Sequence, residues 1–158
     1  MTASNNHGCV ILMADDDPAD ILLTRRAFED AALDNTLCTV ADGAELLAYL
    51  NGENEYADRD RHPYPDLVLL DLNMPRMDGR TALEKVRQDP QHRRLPVIIL
   101  TTSDAEKDIL SAYDAGASSY ITKPADFQQL VETLTCLERY WFRLVVLPGH
   151  NDRGRHHD

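Results

Sequence analysis

The sequence predicts an α/β fold in which one doubly wound parallel sheet of five strands carries helices on both faces. Five short apolar runs alternate with segments whose apolar residues recur every three or four positions, and these are the spacings of strands and of helices. Repeated strand–helix alternation is typical of a parallel sheet that is covered on both sides. The chain has 158 residues, and because roughly 150 residues per domain is usual, we expect one domain.

The predicted strands are short and mostly apolar throughout. The third, Leu67–Leu70, is apolar at every position, which is typical of a strand buried on both faces. The fourth begins at Pro96, because proline is tolerated at the first residue of a strand. In chain order the predicted strands are Val10–Ala14, Leu37–Val40, Leu67–Leu70, Pro96–Leu100 and Ser119–Ile121.

Helical periodicity fills the segments between these strands. The first helix starts at Pro18, since proline suits the first helical turn, and the fourth ends at Gly116, a typical C-terminal cap. The predicted helices are Pro18–Ala32, Gly43–Leu50, Gly79–Arg87, Ala105–Ala115 and a long one from Ala125 onward. We therefore expect a domain over residues 8–147 that includes an extended C-terminal helix, and a polar tail over residues 148–158.

The net charge and the lengths of the apolar runs argue against a protein that binds nucleic acid or a membrane. The chain has 16 Lys and Arg against 27 Asp and Glu, a net charge of −11, which opposes binding to nucleic acid or to an anionic membrane because both need clustered positive charge. We expect no membrane helix, because no apolar run approaches ~20 residues, and no secretory signal, because the residues before the first strand are polar. The cysteines are far apart, so we expect reduced thiols in a cytoplasmic protein; they are Cys9, Cys38 and Cys136.

Polar side chains follow four of the predicted strands at the point where each strand ends. In parallel sheets these carboxyl ends share one edge, where ligands bind. Acids that meet there repel one another unless a cation lies between them, and carboxylate oxygens are ligands that suit Mg²⁺. The residues concerned are Asp15, Asp16, Asp17, Asp71, Thr101, Thr102 and Lys123.

This combination of residue types suits phosphoryl transfer. A carboxylate can attack phosphorus and form an aspartyl phosphate, and Asp71 is the best candidate because it ends the most apolar strand. Asp15 and Asp16 then lie on the metal side of the site. Lys123 supplies the positive charge that the phosphoryl oxygens require.

Two strand ends offer more than one candidate. Thr101 and Thr102 follow the same strand, and because successive strand residues point to opposite sides, we expect one of them to serve as hydroxyl donor. We favour Thr101, since it follows its apolar run directly, as Asp71 does, and Thr102 is the alternative. Asp17 precedes Pro18 and is more simply interpreted as the cap of the first helix.

At these positions the chain resembles the receiver domain of bacterial two-component response regulators. The resemblance spans about Cys9 to Leu137 and rests on residues 10–17 (VILMADDD), 67–79 (LVLLDLNMPRMDG), 98–103 (IILTTS) and 120–124 (YITKP). The extended C-terminal end and the long loop before Asp66 resemble those of the small single-domain regulators that partner phytochrome-type photoreceptor kinases.

The resemblance implies how the site would work. Asp71 would accept a phosphoryl group from a phosphohistidine of a partner histidine kinase, and Lys123 would pair with that group. Mg²⁺ would be held by Asp16, Asp71 and the backbone carbonyl of Asn73, with Asp15 acting through water. The sheet would be flavodoxin-like, with strand order 2-1-3-4-5.

The resemblance also implies a route for the signal. Thr101 would move toward the phosphoryl group, and Tyr120 would turn inward behind it, which would change the face formed by the fourth helix, fifth strand and fifth helix. Lys123–Pro124 would be a cis peptide, which proline permits at modest cost. The residues after the fifth helix are too few for an output domain, so we expect a single-domain regulator of a phosphorelay whose output is a protein contact or a phosphate relay. It would promote its own phosphorylation and slow autodephosphorylation without being an enzyme.

We further expect a homodimer on the same face, with the extended last helix contributing. That helix end carries apolar surface which a monomer would leave wet and residue types that anchor interfaces; its members are Arg139, Trp141, Phe142, Arg143, Leu144, Val145, Val146 and Leu147. The alternatives are that this helix end folds back on its own domain or contacts the kinase.

Two rival functions can be weighed on the same residues. A Mg²⁺-dependent aspartyl-phosphate phosphatase would need an acid two residues after the nucleophile, where this chain has Asn73, which cannot transfer a proton. A binding module that never takes phosphate would lack one of the acids or the lysine, and this chain has them all. The sequence therefore favours a signalling phosphoacceptor.

Overall fold

Strand and helix alternate throughout residues 9–144, the part of the chain that the computed structural model describes. The strands are β1 (Val10–Ala14), β2 (Thr36–Val40), β3 (Leu67–Leu70), β4 (Val97–Thr101) and β5 (Ser119–Thr122). The helices are α1 (Pro18–Asp30), α2 (Gly43–Asn51), α3 (Gly79–Gln88), α4 (Glu106–Ala115) and α5 (Phe127–Glu138), with a 3₁₀ turn at Asn54–Ala57 and a π-helical turn at Arg139–Leu144. None of these described helices is long and apolar enough to cross a membrane.

The five strands form one parallel sheet in the order β2-β1-β3-β4-β5, which confirms the predicted fold and strand order. β3 lies in the centre, and its residues are at most 1% exposed. The register pairs Ala14 with Leu70 and Leu70 with Ile99. The residues that follow β1, β3 and β4 therefore meet at one edge of the sheet, with Asp71 in the middle.

Alternate residues of the central strands point to opposite faces of the sheet and build two cores. Leu70 and Ile99 pack in the core on the side of α2, α3 and α4. Leu69 and Ile98 pack in the core on the side of α1 and α5. Because apolar side chains hold the sheet from both faces, the carboxyl edge rests on a rigid base.

Aspartates begin four of the five helices. Their carboxylates accept hydrogen bonds from backbone N–H groups of the first turn, as N-caps do, and they are Asp17, Asp42, Asp78 and Asp126. The interpretation of Asp17 as a helix cap is thereby confirmed. α4 ends at Gly116 in the left-handed region, with φ 109°, as the sequence predicts.

The end of the chain differs most from the prediction. The sequence predicts one helix up to Leu147, but α5 ends at Glu138 and a π-helical turn follows. A π-helical turn points its side chains in other directions than an α-helix would, and within this turn Trp141 and Phe142 pack partly against the core on the α1 and α5 side. Residues 145–147 and the predicted polar tail lie outside the described residues.

The peptide bond between Lys123 and Pro124 is trans, because the described residues contain no cis peptide bond. The prediction of a cis bond at this position is therefore wrong for this structure. Trans is the lower-energy isomer of an X–Pro bond, by roughly 0.5–1 kcal/mol. The backbone N–H of Lys123 donates to the carbonyl of Thr101 at 2.6 Å, which ties the end of β5 to β4.

Candidate functional site

The backbone that carries Asp71 is fixed from two sides. Its N–H donates to the carbonyl of Ala14 at 3.0 Å, which continues the pairing of β1 and β3 by one residue. Gly79, at the start of α3, lies against the same turn, and a Cβ there would be 2.2 Å from the Asp71 carbonyl oxygen. Only glycine permits this close approach, so the loop after β3 folds tightly under Asp71.

Both carboxylate oxygens of Asp71 have hydrogen-bond donors. Oδ1 accepts from the Thr101 hydroxyl at 2.8 Å and from the Asn73 backbone N–H at 3.2 Å. Oδ2 accepts from Lys123 Nζ at 3.1 Å. Asp71 is 8% exposed and Thr101 is fully buried, whereas Thr102 is exposed. Of the two candidate hydroxyls, Thr101 is therefore the one that contacts Asp71.

Asp15, Asp16 and Asp71 form an acidic cluster whose members each offer one oxygen, all within 4.8 Å of one another. Asp15 is 1% exposed, and Asp16 is exposed, so a cation could arrive from solvent and still gain a buried ligand. The hydrogen bond from the Asn73 backbone N–H to Asp71 keeps the Asn73 backbone beside this cluster. Oxygen-only donors suit a hard cation such as Mg²⁺, so the residues present fit a divalent ion.

Lys123 joins the acidic cluster to a fourth carboxylate. Its Nζ lies 2.7 Å from Asp15 Oδ2, 2.7 Å from Asp20 Oδ2 and 3.1 Å from Asp71 Oδ2, and its side chain is 11% exposed. Burial alone would lower the pKa of Lys123, but the hydrogen bonds to Asp15 and Asp20 and the charge of Asp71 raise it above its ordinary value. The ammonium is therefore charged at neutral pH.

Asp15 is the most deeply buried carboxylate of the acidic cluster. Burial raises its pKa, while hydrogen bonds from Lys123 and from the backbone N–H of Asp17 act in the opposite direction. The N–H of Asp17 donates to Asp15 Oδ1 at 2.9 Å. A bound cation would stabilise the ionised form of this carboxylate further.

Asp20 is the site residue that sequence reasoning missed. It is the third residue of α1, where an acid ordinarily favours the helix start through the helix dipole and the backbone N–H groups. Its carboxylate instead bonds Lys123. The sequence signal is slight: an acid in the first turn of the helix that follows the predicted metal edge.

The loop after Thr101 is tied directly to β5 and α4 and, through Asp108, to α3. Tyr120 of β5 is half-buried against the core on the α2 to α4 side, and its hydroxyl donates to the Ser103 carbonyl at 2.8 Å. The Ser103 hydroxyl donates to Asp108 of α4 at 2.6 Å, and Arg80 of α3 approaches the same carboxylate at 3.4 Å. Burial raises the pKa of Tyr120, so its hydroxyl stays protonated and able to donate.

Comparison with known proteins agrees with this geometry. The family model described as the response regulator receiver domain matches residues 11–135. Response regulator Rcp1 of Synechocystis sp. is 34% identical over 149 residues, which cover 94% of this chain and 99% of Rcp1.

Solved structures of small regulators share the fold. The phosphorylated cyanobacterial phytochrome response regulator RcpA is 40% identical with a TM-score of 0.81, covering 89% of this chain and 99% of its own. Response regulator RPA3017, from red light signaling of R. palustris, is 41% identical with a TM-score of 0.85, covering 89% and 98%. The Mn²⁺-bound form of Rcp1 is 35% identical with a TM-score of 0.77, covering 89% and 99%. The family match over most of the chain, together with these relatives, shows that this protein belongs to the response regulator receiver family.

Proposed function

We propose that Asp71 is the phosphoacceptor of this response regulator and that a phosphohistidine of a partner kinase is the donor. One observation carries the proposal: the Asp71 carboxylate lies at the centre of the sheet edge, with the Thr101 hydroxyl on one oxygen and the Lys123 ammonium on the other. Two more carboxylates lie within 4.8 Å. This is the combination of nucleophile, charge and hydrogen-bond donor that phosphoryl transfer needs.

The transfer exchanges one bond to phosphorus for another. An Asp71 oxygen forms the new bond while the bond from phosphorus to the donor's imidazole nitrogen breaks, and that nitrogen keeps the electron pair. Lys123 and Thr101, which already bond Asp71, turn their N–H and O–H groups to the phosphoryl oxygens. Asn73 stands where a phosphatase would have a general acid, so the product is a stoichiometric aspartyl phosphate that hydrolyses slowly.

We propose Mg²⁺ as the ion of the acidic cluster. Asp16, Asp71 and the backbone carbonyl of Asn73 would hold it, and Asp15 would act through water. When bound, the ion neutralises charge on the phosphoryl oxygens and relieves repulsion among the carboxylates. The oxygen-only donor set supports this proposal, as does the existence of an Mn²⁺-bound form of the related Rcp1.

Thr101 and Tyr120 form the proposed switch. When Thr101 leaves Asp71 for a phosphoryl oxygen, the loop that follows it shifts. Tyr120 holds that loop through the Ser103 carbonyl, so its side chain has to follow or to release it. Either movement changes the surface of α4, β5 and α5, which is where we place the output contact.

We propose a phytochrome-type histidine kinase as the partner and the cytoplasm as the place of action. The relatives RcpA and RPA3017 are described as a phytochrome response regulator and as a regulator in red light signaling. The net charge of −11 favours a protein partner over nucleic acid or membrane. None of the three cysteines, all within the described residues, forms a disulfide, which suits a reducing compartment.

We also propose a homodimer through the face formed by α4, β5 and α5. Leu110 and Tyr113 of α4 and Tyr140 after α5 expose 57%, 47% and 54% of their surface. A groove of about 840 Å³ runs along β5 and α5 and ends at Tyr140 and Trp141. Trp141 and Phe142 are half-buried on their own domain, so the alternative of a helix end that folds back applies to these two side chains. Tyr140 is the aromatic residue of this helix end that stays exposed and can contact a partner.

Labelled acetyl phosphate in the presence of Mg²⁺ tests the phosphoacceptor. We expect one hydroxylamine-sensitive label per chain and no label in Asp71→Asn. Asp78→Asn is the matched control, because Asp78 lies in the same loop and asparagine is an equally good helix cap. Label that survives in Asp71→Asn, or that resists hydroxylamine, would contradict the proposal. Repeated turnover would favour the phosphatase, and no labelling at all would favour the binding module.

Light scattering at micromolar concentration tests the dimer. We expect Tyr140→Glu to shift the protein to a monomer, because a charge on this apolar face opposes its burial. Leu22→Glu is the control, since Leu22 is 50% exposed on α1, which is not one of the three elements of that face. A monomeric intact protein, or an equal effect of both variants, would rule out the proposed interface.

A further inference from the structure

Lys123 has three carboxylate partners, which is as many as an ammonium has N–H groups. The distances from Nζ are 2.7 Å to Asp15, 2.7 Å to Asp20 and 3.1 Å to Asp71. Asp15 and Asp71 belong to the acidic cluster, whereas Asp20 does not. Lys123 therefore shares two of its partners with any cation that the cluster binds, and only Asp20 is its own.

The position of Asp20 follows from helix packing. α1 and α5 cover the same face of the sheet, and their side chains share one core, which brings the first turn of α1 next to the loop between β5 and α5. Asp20 is 32% exposed at its side chain, against 1% for Asp15. It holds Lys123 from the solvent side, while Asp15 and Asp71 hold it from the sheet edge.

A divalent cation at the acidic cluster competes directly with Lys123. The cation would draw on the Asp71 carboxylate, and through water on that of Asp15, both of which the ammonium now bonds, and the two positive charges would repel each other at short range. A carboxylate that binds Lys123 and is not itself a ligand offsets both effects. It retains the ammonium when the shared carboxylates turn to the cation, and it adds negative charge near the site.

We propose that Asp20 is a positioning residue that holds the Lys123 ammonium beside the acidic cluster and thereby strengthens the binding of a divalent cation there. This inference rests on the proposed metal site and adds to it a residue outside the ligand set. Without Asp20, Lys123 relies on Asp15 and Asp71 alone and competes harder for them. Both this competition and the loss of one negative charge near the site lower the affinity for a cation.

If Asp20 had a purely structural role, its replacement would change stability and leave cation affinity unchanged. The ion pair between Asp20 and Lys123 also tethers α1 to the loop after β5, and a tether contributes to stability without affecting cation affinity. Asp17 separates these roles, because it is an exposed acid at the same end of α1 that does not contact Lys123. Asparagine at position 17 removes a charge and retains the helix cap.

Calorimetric titration of the full chain with Mn²⁺ alone tests the proposal, with thermal unfolding in EDTA as a measure of folding. We expect Asp20→Asn to weaken Mn²⁺ binding about three- to ten-fold, as the loss of a partly exposed charge pair implies. We expect a smaller effect for Asp17→Asn and partial recovery in Asp20→Glu. Equal weakening by Asp20→Asn and Asp17→Asn, or tighter binding by Asp20→Asn, would overturn the role of Asp20. If the unaltered chain binds no Mn²⁺, the metal site itself is refuted, and the inference with it.

Discussion

Two polar regions of this protein are balanced in different ways. At the carboxyl edge, three carboxylates bond the Lys123 ammonium, those of Asp15, Asp20 and Asp71, and a fourth, that of Asp16, lies beside Asp15 and Asp71. The negative charges outnumber the positive one, and part of this group is buried. The carboxylates at this edge therefore repel one another, and a cation, alone or with a bound phosphoryl group, would reduce that repulsion.

The second region is a loop network of Arg59 and Tyr64 in the loop between α2 and β3, Asn51 at the end of α2, and His92 between α3 and β4. The Arg59 guanidinium donates to three backbone carbonyls, two of them at the end of α2. His92 lies between the Tyr64 hydroxyl at 2.7 Å and Asn51 Oδ1 at 2.8 Å. Donors and acceptors match here, so this network can hold the loop in place without a ligand.

The difference shows what distinguishes polar groups that stabilise the fold from polar groups that take part in function. Buried polar groups whose partners are all within the protein fix one conformation. A buried group with an excess of one charge depends on something from outside. The effect of mutations on stability should therefore depend on Mg²⁺ at the carboxyl edge and be independent of Mg²⁺ in the loop network.

Replacing Lys123 by alanine should give the largest effect. In EDTA we expect a loss of about 3 kcal/mol in the free energy of unfolding, because the buried Asp15 and Asp71 are left without their cation. Mg²⁺ should restore part of this loss. Denaturant titration with and without Mg²⁺ measures both, and Lys107→Ala on the exposed surface of α4 is the control. A loss no greater than that of the control would contradict the imbalance at this edge.

Replacing Arg59 by alanine should have a smaller effect, which Mg²⁺ does not change. We expect a loss of about 2 kcal/mol, since three carbonyls lose a charged donor, and neither Mg²⁺ nor phosphoryl labelling should change the result. Arg61→Ala, at an exposed position of the same loop, should be nearly neutral. If Mg²⁺ restored the stability of Arg59→Ala, the loop network could not be separate from the site.

The two regions also differ in how far the sequence predicts them. Asp15, Asp71 and Thr101 could be placed at one edge because parallel strands align their carboxyl ends. The bond from Asp20 to Lys123 could not be predicted, since it depends on how α1 lies against the loop after β5. The loop network has no motif at all, because its partners come from segments whose packing no local pattern encodes.

His92 gives the loop network a pH dependence. Burial lowers the pKa of His92, and the positive charge of Arg59 acts in the same direction. The carboxylate of Asp89, 3.8 Å away, acts in the opposite direction. Burial also raises the pKa of Tyr64 to about 12, so Tyr64 stays a donor to Nδ1 while Nε2–H donates to Asn51. The neutral imidazole is thus the form that the fold favours.

The sign of this effect follows from proton binding. As the pH falls through the unfolded value of about 6.5, the unfolded chain takes up a proton that the folded chain does not, so His92 lowers stability by up to about 1.4 kcal/mol per pH unit. Above that pH the contribution is constant. Unfolding titrations between pH 5 and 8 should show a shallower slope for His92→Gln than for the unaltered chain. Equal slopes would mean that His92 titrates alike in both states.

We propose that a divalent cation relieves the excess negative charge at the carboxyl edge, and the Asp16→Asn variant is the test of this relief. Asp16 is exposed and does not contact Lys123, so its loss removes repulsion with little loss of packing. Differential scanning fluorimetry in EDTA should show an unfolding midpoint higher by roughly 2 °C than that of the unaltered chain. The gain in midpoint that Mg²⁺ gives the unaltered chain should be absent in the variant. A variant that is less stable in EDTA, or that Mg²⁺ still stabilises fully, would show that repulsion by Asp16 is not what the cation relieves.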